Sequence, residues 1–244
     1  MRGVTEAIIL HQGHVGEKDV YLVLLSPRWG RLSAVAKGAR RSKRRFVNVL
    51  EPYSLIRAHL RGGRATLPPF LDQADLLEPY ELLRLDPRRY VMAAYFAELT
   101  ESFFRPGTGQ EAYPLLRRAF EELHRAGSSP LLKTLFELQL LQAAGFAPRL
   151  EHCVRCQKEP EAPFSFSLAD GGVVCARCRR EEDRPLSGAA LAVLRHFGRL
   201  SWDVLPRVRP KEESLSEAGR ILEIFLKRIL DREINALRVL KEMF

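Results

Sequence analysis

Apolar residues in the first 80 positions come in short runs with turn chemistry between them. "VTEAIIL" (4–10) is followed by the glycine-containing "HQGHVGEKD" (11–19), then "VYLVLL" (20–25), "SPRWG" (26–30) and "RLSAVA" (31–36). Further on, "YSLIRAHL" (53–60) and "RATL" (64–67) flank "RGG", which supplies the turn of a hairpin. Five short strands rich in Val, Ile, Leu and Tyr are therefore expected. A small closed antiparallel barrel is the economical arrangement, because closure leaves no exposed strand edge.

Beyond "LPPFLDQADLLEPYELLRL" (67–85) the period lengthens. Asp86 followed by Pro87 predicts an N-cap with proline at the first helical position. Val91, Tyr95 and Leu99 recur every four residues, Phe96 and Phe103 widen the stripe, and "RPGTG" interrupts it. A second helix is expected from Pro114 to Arg125, ending at Gly127, and a third follows Ser129-Pro130 and stops at Gly145. After a cysteine-bearing segment, Ser187 opens another helix, and "EAGRILEIFLKRILDREI" (217–234) reads as one more long one. The pattern predicts an α+β multidomain chain. A barrel spans 1–80, an α-helical domain is built from 81–148 and 185–244, and a cysteine insert occupies 149–184.

Charge sharpens this picture. The chain of 244 residues carries a net +9, and residues 1–80 hold 13 Lys and Arg against 7 Asp and Glu. Between Arg28 and Arg64 there are 11 basic residues and one acidic residue, Glu51. So local a field attracts nucleic acid, an anionic membrane or an acidic protein. No stretch approaches the roughly 18 apolar residues that span a bilayer, and "MRGVTEAIILHQGH" does not read as a signal peptide. The four cysteines form two close pairs rather than a scattered disulfide framework, which points to a reducing compartment, the cytoplasm.

Those pairs are Cys153–Cys156 and Cys175–Cys178, in the pattern C-x2-C-x18-C-x2-C. The spacing is that of a four-cysteine zinc site, in which each pair sets two sulfurs about 2.3 Å from one ion. "FSFSLADGGVV" alternates and turns at Asp170-Gly171-Gly172, a hairpin that brings the pairs together. Arg155 and Arg177 lie inside the two knuckles and would offset part of the thiolate charge. His152 is an alternative ligand, but four cysteines already fill the shell. A thioredoxin-like pair or two local disulfides are competing readings; the first lacks its βαβ setting and the second suits an oxidising compartment. Four protein ligands leave no open position, so one zinc ion here would be structural.

The densest basic run is "AVAKGARRSKRRF" (34–46), with Lys37, Arg40, Arg41, Lys43, Arg44 and Arg45. It leaves a strand beside Gly38, where the backbone can turn sharply. Arg28 and Arg31 lie on an earlier hairpin and Arg57, Arg61 and Arg64 on later strands or turns, so several elements can share one face. Tyr21, Trp29, Phe46 and Tyr53 are interleaved, and a basic barrel groove with stackable rings is a general arrangement for single-stranded nucleic acid. A solvated loop is the plain alternative, and a membrane surface fits less well because no amphipathic helix accompanies the charge. There is no Walker loop, GxGxxG, GxSxG or HExxH, no catalytic constellation of histidines and acids, and no helix-turn-helix pair. Two classes of function remain: a nucleic-acid-binding protein, or a zinc-containing adaptor whose basic surface docks acidic partners.

"GEKDVYLVLLSPRWGRLSAVAKGARRSK" resembles the N-terminal signature of the bacterial RecO family of DNA repair proteins. Gly16-Glu17-Lys18-Asp19, Gly30 and Ala36-Lys37-Gly38-Ala39-Arg40 fill the family's places, with Ser26 where threonine is common. "AGFAPRLEHCVRC" (144–156) and the second cysteine pair extend the resemblance over most of the chain. It implies an OB-fold barrel, a helical remainder and a zinc ribbon-like insert. It also implies a non-catalytic recombination mediator in the bacterial cytoplasm, associated with the nucleoid. Such a protein binds single- and double-stranded DNA, anneals complementary strands and, with RecR, helps load RecA onto DNA coated by single-stranded DNA-binding protein. The acidic tail of that coating protein is expected on the helices of 187–240, at "LAVLRHFGRL" (191–200) or "RILEIFLKRIL" (220–230).

Overall fold

The computed structural model describes residues 2–42, 44–63 and 67–243, which leaves Lys43 and Arg64 outside. The chain divides into two compact units, residues 1–127 with 235–244, and residues 128–234.

The first unit begins with five strands: β1 (Arg2–Val15), β2 (Asp19–Ser26), β3 (Gly30–Ala36), β4 (Leu55–Arg61) and β5 (Phe70–Glu78). They close in the order β1-β2-β3-β5-β4. Every pairing is antiparallel except β3 with β5, which meet in parallel at Val35 and Phe70. This is the five-stranded OB-type barrel. A register shift between Ile9 and His11 lets one long strand bend, pairing with β4 through its first half and with β2 through its second. Ala7, Ile9, Leu22, Leu24, Ala34, Ile56, Ala58 and Leu60 fill the interior.

Two expectations change here. The segment 11–19 is not a long turn: β1 runs on to Val15, and the turn is only Gly16–Lys18. The closing strand is not 64–67, three of whose residues lie outside the described ones, but β5 at 70–78. Its Asp72 and Asp75 are of a type depleted from strands, and Gln73 adds a third polar side chain, so the run reads as polar connection until its pairing with β4 is seen.

Helices α1 (Leu82–Leu85), α2 (Pro87–Phe103) and α3 (Ala112–Ala126) complete the contiguous part of this unit. The Asp86 carboxylate accepts from the N–H groups of Arg88 and Arg89, as the Asp-Pro start predicts. Arg31 on β3 ion-pairs with Glu101 on α2, and its backbone bonds to Thr108 and Gly107 tie the same strand to the α2–α3 connection. A side chain at Gly30 would collide with the Thr108 carbonyl, so that close approach requires glycine.

In the second unit, α4 (Pro130–Ala143) precedes a three-stranded sheet of β6 (Phe164–Ser167), β7 (Gly172–Val174) and β8 (Arg184–Leu186), in the order β7-β6-β8. Helices α5 (Gly188–Gly198) and α6 (Glu212–Leu230) follow, with the Ser187 side chain capping α5. The expected long helix over 217–234 stops at Leu230, where Asp231 turns left-handed. A separate helix, α7 (Asn235–Met243), packs on α2 in the first unit and is capped by the Glu98 carboxylate at the N–H groups of Asn235 and Ala236. Among the described residues no helix is long and apolar enough to cross a membrane.

Candidate nucleic-acid interface and metal centre

The basic run is not a loose loop. Ala36, Ala39, Phe46 and Leu50 turn into the barrel core, which forces the intervening cations outward. Gly38 adopts a left-handed conformation (φ 66°), and open space surrounds it, so backbone shape rather than crowding selects glycine. Its N–H donates to the Asp19 carboxylate at 2.8 Å. The Arg40 N–H donates to the Lys18 carbonyl, and the Arg40 guanidinium to the Glu17 carbonyl at 3.2 Å. The β1–β2 turn thus grips the start of the basic run. At the other side, Lys37 Nζ lies 4.3 Å from the centre of the Phe70 ring. Arg45 donates to the main-chain carbonyls of Asp72 (3.1 Å) and Lys37 (3.0 Å). The run therefore sits between the β1–β2 turn, one of the loops through which OB barrels meet oligonucleotides, and the start of β5.

The predicted cations divide into three groups. Lys37, Arg40, Arg41 and Arg44 are exposed and, among the described residues, make no ion pair. Arg45 is exposed with its donors on carbonyls, Arg28 stacks on Trp29 at 4.8 Å, and Arg57 faces Asp75 across β4–β5. Two are committed elsewhere. Arg31 is mostly buried against Glu101 and the Phe104 carbonyl, and Arg61 holds Asp72 through Nε (2.7 Å) and Nη2 (3.1 Å). These acidic partners lie outside residues 28–64: Asp72 and Asp75 arrive from β5 and Glu101 from α2. Hydrogen bonding from Arg61 is the main cause that holds the Asp72 carboxyl below the usual carboxylate range, with Arg45 and Arg2 adding to it. The field is thus concentrated at the 37–45 run rather than along β4.

The aromatic expectations separate in the same way. Phe46 and Tyr53 are core residues, Tyr53 set edge-on to Tyr90 and Phe120. Tyr21 is half-buried on β2. Arg2 and Phe70 belong to the basic surface but carry no local signal; only the pairings Arg2↔Arg61 and Arg61↔Phe70 bring them there.

In the second unit the Sγ atoms of Cys153, Cys156, Cys175 and Cys178 lie within 4.8 Å of one another. A tetrahedron with metal–sulfur bonds near 2.3 Å needs sulfurs about 3.8 Å apart, and Cys156 and Cys175 stand at 3.9 Å. Each knuckle is shaped locally. The Gln157 N–H returns to the Cys153 carbonyl with Gln157 left-handed, and the Cys178 N–H returns to the Cys175 carbonyl. Burial resists ionisation of the Cys153 thiol, but the N–H groups of Cys156, Cys175 and Arg155 more than offset it and bring it down to about 6. Cys178, sharing hydrogens with Cys175 and Cys156, is pushed up to about 12. Four thiolates this close therefore need a cation to coexist, and the set fits one metal ion. His152 is exposed and outside the cluster.

Arg155 does not face the sulfurs. It donates to both Asp183 oxygens (2.6 and 2.9 Å), to Asp170 (2.9 Å) and to the Cys178 carbonyl (2.6 Å), linking the first knuckle to the second. Arg177 lies exposed beside Glu161.

Two family models match nearly the whole chain: Recombination protein O N terminal over residues 1–80, and Recombination protein O C terminal over residues 84–238. The chain belongs to the RecO family. The DNA repair protein RecO of Anaeromyxobacter dehalogenans (strain 2CP-1 / ATCC BAA-258) is 33% identical over 248 residues, 99% of this chain and 97% of the relative. RecO of Desulforudis audaxviator (strain MP104C) is 34% identical over 243 residues, 98% and 96% of the two chains. That of Thermoanaerobacter sp. (strain X514) is 29% identical over 236 residues, 95% and 94%.

For this RecO chain, the two signature segments have one physical job: Asp19 of the first clamps Gly38 of the second. The apolar stripes expected to receive an acidic tail are different from expectation. Leu191, Leu194 and Phe197 on α5 and Leu222, Phe225 and Leu226 on α6 are buried among the helices of their own unit. Beside α5 lies a groove lined by Phe164, Ala192, Arg195, Arg199 and Val204, with Glu151 ion-paired to Arg199 at 2.8 Å on its wall.

Proposed function

We propose that this protein is a non-catalytic DNA repair and recombination mediator that binds single- and double-stranded DNA without reading sequence and anneals complementary strands. The observation that carries this reading is the set Lys37, Arg40, Arg41 and Arg44, exposed without ion pairs among the described residues and pinned between the β1–β2 turn and β5. Arg45, Arg28 and Arg57 extend the same surface, and Lys43 and Arg64 join it by sequence. Two DNA strands repel each other; a cationic surface that neutralises phosphates lowers that repulsion and needs no nucleotide to do so. RecO family membership supports the remaining roles: partnership with RecR, delivery of RecA to DNA coated by single-stranded DNA-binding protein, and work in the bacterial cytoplasm at the nucleoid. The acidic tail of the coating protein would have to displace Glu151 from Arg195 and Arg199 in the groove beside α5. The barrel of 1–80 carries the DNA, the helical parts carry the partners, and the insert of 149–184 carries one structural zinc ion, the metal that four thiolates in closed tetrahedral array suit best.

Binding of labelled 40-nucleotide strands of unrelated sequence, followed by anisotropy from 50 to 300 mM NaCl, tests this reading. Affinities should agree within a few-fold between sequences. The logarithm of the binding constant should fall by about 0.7 per phosphate contact for each unit of log salt, a slope of roughly −3 to −5 for four to seven contacts. No binding at 50 mM salt, or a flat salt response, would leave the adaptor reading in its place.

The zinc assignment has its own check at Arg155. Groups that orient metal ligands commonly carry about 10- to 100-fold in metal affinity. Arg155→Leu should therefore release zinc to a colorimetric chelator at a lower chelator concentration than wild type. Equal retention would show that the Arg155 bridge is irrelevant to the knuckles.

A further inference from the structure

We propose that Asp72 is a built-in competitor for phosphate, occupying the fork of Arg61 until a nucleic-acid backbone displaces it. The proposal rests on the DNA-binding reading above and adds a regulator to that surface. Arg61 presents Nε and Nη2 to the two Asp72 oxygens at 2.7 and 3.1 Å. A guanidinium fork takes carboxylate and phosphate oxygens in the same bidentate geometry. The donors that hold Asp72 are therefore the donors a phosphate would claim.

Three further observations place the pair in the DNA path. Arg45 reaches the main-chain carbonyl of the same Asp72, and its other Nη holds the Lys37 carbonyl, so Asp72 lies directly beside the basic run. Arg2, opposite Arg61 on β1, also faces this carboxylate. The Arg61 side chain is 64% exposed and that of Asp72 38%, so the fork is open to solvent and to a ligand. Exposed ion pairs contribute little to folding, and the backbone of β5 is held by its own strand pairing. The pair is thus cheap to break, and its position matters more to ligands than to stability.

The consequence is a graded grip. A lone anion gains little by entering the fork, because it must displace a tethered carboxylate. A continuous phosphate backbone already held by Lys37, Arg40, Arg41 and Arg44 presents its next phosphate at high local concentration and can displace Asp72. When it leaves, the carboxylate refills the fork and opposes rebinding. Asp72 therefore lowers affinity and speeds release, which suits a protein that must let go of a duplex once it has formed.

Asp72→Asn tests this, since asparagine keeps the shape and one acceptor but loses the charge. At 100 mM NaCl, Asp72→Asn should bind a 40-nucleotide strand about 2- to 5-fold more tightly and release it more slowly in stopped flow, with a salt slope close to that of wild type, because a phosphate takes the Arg61 fork in both complexes. Arg61→Ala should cost more affinity in the Asp72→Asn background than in wild type. If Asp72 instead served to orient Arg61 for DNA, Asp72→Asn would bind equally or more weakly, and the proposal would be overturned. Wild type failing to bind with salt dependence would sink the DNA-binding reading itself, and this inference with it. Matching thermal unfolding curves for the variants confine either result to the surface.

Discussion

Cys153→Ser/Cys175→Ser, or exhaustive chelation of wild type, should unfold residues 150–186 while leaving the barrel intact. Between its knuckles the insert has little apolar burial of its own, although Phe166 packs on Phe225 of α6. Its strands are three or four residues long, and the core between its knuckles is little more than Cys153, Val174 and Cys175 with Val154 against them. In small zinc domains the metal binding energy, on the order of 10 kcal/mol, is in effect the folding energy. Arg155 cannot substitute for the ion, because its bonds to Asp170, Asp183 and the Cys178 carbonyl presuppose that both knuckles are formed. Limited proteolysis should then cut between 150 and 186 in the metal-free protein and not in the loaded one. The barrel belongs to the other compact unit, so DNA affinity should change little. Unchanged protease resistance after verified metal loss would contradict a structural role for the ion.

The second large effect is expected from Lys37/Arg40/Arg41/Arg44→Ala. None of the four has an ion pair among the described residues, and their side chains lie outside the core, so thermal stability should stay near wild type. Losing four phosphate contacts should flatten the salt slope by about 2.8 and lower affinity at 100 mM salt by two to three decades. Arg31→Ala is the useful contrast. Arg31 clamps β3 to α2 through Glu101, so its loss should register in the unfolding midpoint and hardly in DNA binding.

What the sequence makes legible follows the range of the interaction involved. The four cysteines are readable because a C-x2-C knuckle is closed by its own neighbours, as the Gln157 and Cys178 N–H bonds show. The helix starts at Asp86, Ser129 and Ser187 are readable for the same reason, each capping a backbone N–H two or three residues on. The basic run is readable as charge, but not its division into open and committed cations. Arg31 finds Glu101 70 residues away and Arg61 finds Asp72 across a strand pair, and neither distance leaves a local trace. Strand β5 escapes because its polar face, Asp72, Gln73 and Asp75, is paid for by partners on β4: Arg61, and His59 with its bond to Asp75. The break at Asp231 escapes as well, since a left-handed aspartate interrupts an apolar period that otherwise continues.

The most direct test of the basic run as the working surface is annealing of two complementary oligonucleotides, without nucleotide, by wild type and by folded Lys37/Arg40/Arg41/Arg44→Ala. Wild type should anneal them far faster than the spontaneous rate and the variant should not. Equal annealing by both would place the DNA site elsewhere on the protein and contradict the assignment made here.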